Sequence, residues 1–206
     1  MMRRVLFVHV MLALALLFCA EAACCGVVIN ELMPDPASDW SPTDGNEEYH
    51  SLEDEWIEIV NTGASPVDIT GWRLKDAASD SSWRYGFSGV IGPGQFVVVY
   101  GNDSYDWEGE NGFSRYGLSL NNSGDTVTLV ASDLSTVMDQ VTYESGDIGD
   151  DRAFGRVPDG DGDWCCIDGL NPADPPGSGT PPTPGMPNVG SPVESGTWGR
   201  LKSLYD

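Results

Sequence analysis

Positive charge is scarce in this 206-residue chain: ten Lys and Arg stand against 32 Asp and Glu, for a net charge of −22. A nucleic-acid groove needs a basic footprint that displaces counterions from phosphates, and ten scattered cations do not form one. Peripheral binding to an anionic membrane surface is excluded on the same ground. Histidine is scarcer still, with only His9 and His50. A Ser-His-Asp triad or a His-rich zinc site would have to be built on His50, inside an acidic Ser/Gly/Pro stretch. No catalytic site is legible, and the chain is not expected to be an enzyme. Apolar residues are not scarce. A hydrophobic fraction of 40% with seven Trp suffices for a packed core and excludes wholesale disorder.

Residues 1–22 read as a secretory signal peptide. Arg3 and Arg4 precede an almost unbroken apolar run over 5–18, and Ala20-Glu21-Ala22 offers small residues at its first and third positions. The apolar run is shorter than the ~20 residues that a membrane span needs. Cleavage after Ala22 removes Arg3, Arg4 and Glu21, leaving eight cations against 31 acids and a net charge of −23. His50 is then the one histidine. The expected location is outside the cell or in its envelope.

Four cysteines remain after such cleavage, as two neighbouring pairs, Cys24-Cys25 and Cys165-Cys166. An even count in an exported chain points to disulfides. Pairing within a dipeptide strains the peptide bond, so bridges between the two pairs are expected. A Cys25–Cys165 bridge would close 140 positions and stabilise by about 5 kcal/mol in the loop-closure model. Adjacent strand residues point to opposite faces, which favours one bridge over two. A four-thiolate metal site lacks the usual spacer within each pair.

The body reads as short strands between turn residues. Val27 to Met33 stops at Pro34, and Glu55-Trp56-Ile57-Glu58-Ile59-Val60-Asn61 alternates as a strand does, without revealing which set faces the core. Further strands are expected over 67–69, 72–76, 82–87, 95–100, 126–131, 137–143 and 153–157, with Gly, Asn, Ser and Pro turns between them. No sustained helical period precedes residue 190. The fold class is all-β, an antiparallel sandwich over 23–167. A Pro/Gly-rich linker or exit segment follows over 168–192, and then a short tail over 193–206. In that tail Trp198 and Leu201 share helical spacing with Leu204 or Tyr205.

The ordered succession of three segments resembles the lamin-tail domain. They are Val28-Ile29-Asn30-Glu31-Leu32, Glu55-Trp56-Ile57-Glu58-Ile59-Val60-Asn61-Thr62-Gly63 and Val67-Asp68-Ile69-Thr70-Gly71-Trp72-Arg73-Leu74. That immunoglobulin-like module occurs at the C-terminus of nuclear lamins and in exported bacterial proteins. Ile91-Gly92-Pro93-Gly94-Gln95 fits its proline turn, and Pro182-Thr183-Pro184-Gly185-Met186-Pro187-Asn188 resembles its exit segment. The resemblance covers residues 26–188. It implies an immunoglobulin-like β-sandwich that binds or tethers and carries no catalytic residues. The DNA and chromatin partners of lamin tails do not carry over to a chain of charge −23. The long acidic loop 35–54 and the paired cysteines depart from the family pattern.

Three constellations could still carry chemistry. Asp159, Asp161 and Asp163 alternate with Gly160 and Gly162, which suits calcium, although position 12 counted from Asp159 is Leu170 rather than a bidentate Glu. Calcium is the cofactor this pattern would take; a turn of solvated carboxylates is the competing reading. The loop acids Asp39, Asp44, Glu47, Glu48, Glu53, Asp54 and Glu55 could hold a glycosidase pair, but none stands out as one. Among the aromatics, Trp83 and Tyr85 read as core, whereas Tyr105 and Trp107 fall in a Gly/Asn/Asp-rich loop and are the expected ligand contacts. Asn102 and Asn121 stand in glycosylation-acceptor triplets. The sequence thus supports an exported binding or tethering module whose partner is a surface protein or glycan. A calcium-dependent carbohydrate- or surface-binding domain is the alternative, and a hydrolase built on loop acids a more remote one.

Overall fold

Residues 26–42, 49–77, 82–168 and 179–188 are described by the computed structural model. The expected leader 1–22, Cys24, Cys25, Asp44, Glu47, Glu48 and the tail 193–206 lie outside the described residues.

Two antiparallel sheets face each other, as the sequence implied. The larger runs in the order β11 (Asp163–Ile167), β10 (Ala153–Val157), β1 (Val27–Met33), β2 (Trp56–Asn61), β7 (Phe96–Tyr100). The smaller runs β5 (Tyr85–Gly86), β4 (Arg73–Lys75), β8 (Gly124–Val130), β9 (Val137–Glu144). A two-stranded ribbon, β3 (Val67–Asp68) with β6 (Val90–Ile91), closes one side. Between the sheets lie Val27, Ile29, Ile57 and Ile59 from one layer and Leu74, Val127, Leu129 and Val141 from the other. Trp72, Phe87, Leu118 and Phe154 join the same cluster. Each such aliphatic side chain contributes about 1.5–3 kcal/mol on burial, so this layer is the main force joining the sheets.

Strand β2 is buried along its whole length, which settles the question its alternation left open: both faces are covered. Ile57 and Ile59 enter the inter-sheet core, and Trp56 enters a second cluster with Met33, Tyr100, Ala153 and Ile167 on the outer face. Trp40 covers that cluster, its ring 6.4 Å from that of Trp56. The loop carrying Trp40 is held by backbone N–H groups of Trp40 and Ser41 on Asp54 Oδ1, at 2.7 and 2.8 Å. Asp54 is therefore a loop clamp.

The turns obey their chemistry. Asn61 is buried and donates to the carbonyls of Ser65 and Ile91 while accepting from Gly63 N, each at 2.9 Å. Gly94 takes φ +67° in the turn before β7, a region open to glycine.

Three elements escaped the sequence, the short β6 among them. Strand β11 pairs with β10 through Trp164, Cys165 and Cys166. Helix α1 (Gly101–Glu110) occupies the stretch expected to be a loop. Its buried positions are Gly101, Ser104 and Glu108, which share helical spacing without being apolar, so hydrophobic periodicity is blind to it.

Candidate functional site

A single irregularity in β1 builds the outer face of the larger sheet. Ile29 pairs with Ile59, but Glu31 pairs with Glu58, because a bulge at Asn30 inserts one residue. The shift keeps Ile29 and Leu32 both in the inter-sheet core and sets Glu31 directly across from Glu58. Glu31, Glu58 and Asn30 are each fully buried.

The Pro/Gly-rich stretch supplies their cover. Residues 179–188 lie across this face. Thr183 N donates to Glu31 Oε1 at 3.2 Å, and Gly185 N donates to Glu58 Oε2 at 2.6 Å. Asn30 Nδ2 donates to Glu58 Oε1 and to Asp159 Oδ1, both at 2.9 Å, and Gly160 N donates to Asn30 Oδ1 at 2.9 Å. Asn188, itself buried, donates its N–H to Asp159 Oδ1 at 2.9 Å and its Nδ2 to the Arg156 carbonyl at 3.1 Å. The exit segment is thus bolted to β1, β2 and the β10–β11 turn.

Burial dominates the electrostatics. It pushes the Glu31 carboxyl up to about 8, with the Glu58 charge opposite adding to the rise. Burial likewise lifts Glu58 to about 7 against the hydrogen bonds from Asn30 and Gly185. Among the described residues no cation forms an ion pair with either group.

A second polar cluster holds α1. Arg84, 2% exposed, pairs with Asp76 at 3.0 Å and Glu108 at 3.2 Å. Glu108 Oε2 also accepts from Tyr116 N at 2.5 Å and Gly117 N at 2.9 Å, and Ser104 Oγ donates to the Arg84 carbonyl at 2.6 Å. Glu55, whose carboxyl burial lifts to about 8, accepts from Leu120 N nearby.

The sequence-derived candidates fall out as follows. Asp159, Asp161 and Asp163 are not drawn together: Asp159 turns to Asn30 and Asn188, and Asp163 opens β11. Among the described residues no three His, Cys, Asp or Glu side chains are grouped to hold a metal ion. Cys165 and Cys166 carry no bridge among the described residues. Burial raises both, Cys166 to about 12, and Cys166 Sγ donates to Asp168 at 3.4 Å. Their partners Cys24 and Cys25 fall outside the described residues.

Tyr105 and Trp107 sit on α1, and they part company. Tyr105 is exposed, with the Arg115 guanidinium 5.0 Å over its ring. Trp107 is half-buried, stacked 5.4 Å from Phe113 and set against Gly86, where a Cβ would come within 2.6 Å of its ring. Trp107 therefore packs against Gly86 and Phe113 while part of it stays exposed. Tyr116, lying 5.3 Å from the Arg84 guanidinium, and Tyr49 are exposed as well. His50 is exposed, with Glu53 at 4.0 Å beside its ring.

Sequence comparison decides the family. The lamin tail domain model matches residues 20–145. The chain belongs to the lamin tail domain family. No curated protein matches the chain. The lamin tail domain is an immunoglobulin-like, non-enzymatic module, which agrees with the antiparallel sandwich found here. The matched span ends after β9, so β10, β11 and the exit segment that complete the outer face lie beyond it.

The residues that build this face, Asn30, Glu31 and Glu58, stand inside the very segments that carried the family resemblance. Their role was missed because a strand glutamate ordinarily faces water. The available signal was an acid flanked by Ile in a segment apolar enough to be covered on both faces.

Proposed function

We propose that this chain is an exported, non-catalytic binding and tethering module of the lamin-tail type, held at the cell surface or in the envelope by a protein or glycan partner. The observation that carries this reading is the bolted exit segment. Thr183 and Gly185 are fixed to the strands β1 and β2 and Asn188 to the β10–β11 turn, so load applied beyond Asn188 would pass to the sheet rather than to a loop. Family membership, the signal-peptide pattern of 1–22 and a net charge that opposes anionic polymers support the same reading.

Fractionation of cells expressing the full chain tests it. The chain is expected in the envelope fraction with its N-terminus at Ala23, and deletion of residues 189–206 is expected to release a folded protein into the medium. An unprocessed cytosolic chain, or envelope retention unchanged by the deletion, contradicts the proposal.

A further inference from the structure

The hydroxyl of Thr183 has one hydrogen and two oxygen neighbours. Thr183 Oγ1 lies 2.6 Å from Asn188 Oδ1 and 3.2 Å from Glu31 Oε2. The Asn188 amide is oriented by its own donation to the Arg156 carbonyl, so Oδ1 is an acceptor and claims the Thr183 hydrogen. Glu31 Oε2 then faces a lone pair of Thr183. The contact is a hydrogen bond only if Glu31 carries the proton and donates it. The relay runs Glu31 O–H to Thr183 Oγ1, and Thr183 O–H to Asn188 Oδ1.

We propose that residues 179–188 form a proton-operated latch: Glu31 in its acid form closes the exit segment onto β1 and β2, and loss of that proton opens it. Deprotonation leaves two oxygens sharing one hydrogen, so either Glu31 Oε2 or Asn188 Oδ1 goes without the Thr183 hydrogen. It also sets a carboxylate against every titratable neighbour on this face. These are Glu58 on β2, Asp159 in the β10–β11 turn and Cys165 on β11, all acidic, with Tyr100 on β7 beside Glu58. The Arg156 guanidinium offers no relief, being engaged with the Ile29 carbonyl, Asp139 and the Trp164 ring.

The direction follows from linkage. In the open form Glu31 is solvated and titrates near its ordinary value of 4.5, while burial holds it near 8 when closed. The closed form binds a proton that the open form releases, so closure is strongest at low pH and weakens as pH rises to about 8. The latch stands on its own geometry; only its consequence, a tail whose point of departure shifts with pH, rests on the tether reading.

Amide hydrogen exchange in the purified chain tests the latch, and it is blind to where the chain resides in the cell. Corrected for intrinsic exchange, protection of the Thr183 and Gly185 amides is expected to fall about tenfold per pH unit between pH 6 and 8 for one released proton. Glu31→Gln, whose amide can donate to Thr183 at every pH, is expected to hold protection with a slope shallower by about one decade per unit. Wild-type protection independent of pH overturns the proposal without recourse to any variant. So does an equal slope in wild type and Glu31→Gln.

Discussion

Replacing Arg84 by Met keeps most of the apolar stem and removes the guanidinium beneath α1. Asp76 and Glu108 then lose the cation that both reach, at 3.0 and 3.2 Å, with side chains 3% and 0% exposed. Glu108 retains its backbone donors Tyr116 and Gly117 and stays in place, but as a buried carboxylate without its counter-ion. Breaking a buried pair in this way costs about 3–5 kcal/mol. At about 2–4 °C per kcal/mol for a chain of this size, the melting temperature should fall by about 6–20 °C. Circular dichroism at pH 7 reads the shift. Combining Arg84→Met with Glu108→Gln should recover at least about 1 kcal/mol relative to additivity. A loss under about 1 kcal/mol for the single variant, or strict additivity of the pair, would refute the view that this triad clamps the helix.

Three further outcomes follow from the buried groups. Glu31, Glu55 and Glu58 sit near 8, 8 and 7 in the fold against an ordinary 4.5, so the native state holds protons that the unfolded chain releases. Urea-unfolding free energy should therefore fall between about pH 5 and 8, by up to about 1.4 kcal/mol per unit for each group, and a flat or rising profile refutes the assignment. The buried Tyr143 hydroxyl has no well-formed hydrogen bond among the described residues, the Asn121 backbone offering only a weak one. Tyr143→Phe should accordingly stabilise by about 1 kcal/mol in the same assay, and a comparable loss would reveal a hidden partner. Millimolar calcium should leave the melting temperature unchanged, because Asp159 is committed to Asn30 and Asn188; a rise of several degrees would restore a cation site.

The strand pattern was legible because it depends on local chemistry. Val, Ile and Trp alternate between Gly, Pro and Asn turns, and β1, β2, β7, β9 and β10 lie where that alternation places them. Helix α1 was not legible, since its inward face is Gly101, Ser104 and Glu108, held by Arg84 from a distant segment. The carboxylate face was hidden for a related reason. Glu31 and Glu58 meet only through a one-residue bulge, and they are buried only because residues more than 120 positions away fold back over them. That Asp159 turns inward was not legible either, because local spacing cannot register the demand of Asn30 for an acceptor. The two thiols could be counted from sequence, but their pairing could not.

Limited proteolysis with mass spectrometry at pH 6 tests the central claim most directly, because it asks whether the exit segment belongs to the folded body. The resistant core should retain Thr183, Gly185 and Asn188 bound to the sandwich, even after cleavage elsewhere. A core that ends at Asp168 and sheds those three residues would contradict the account.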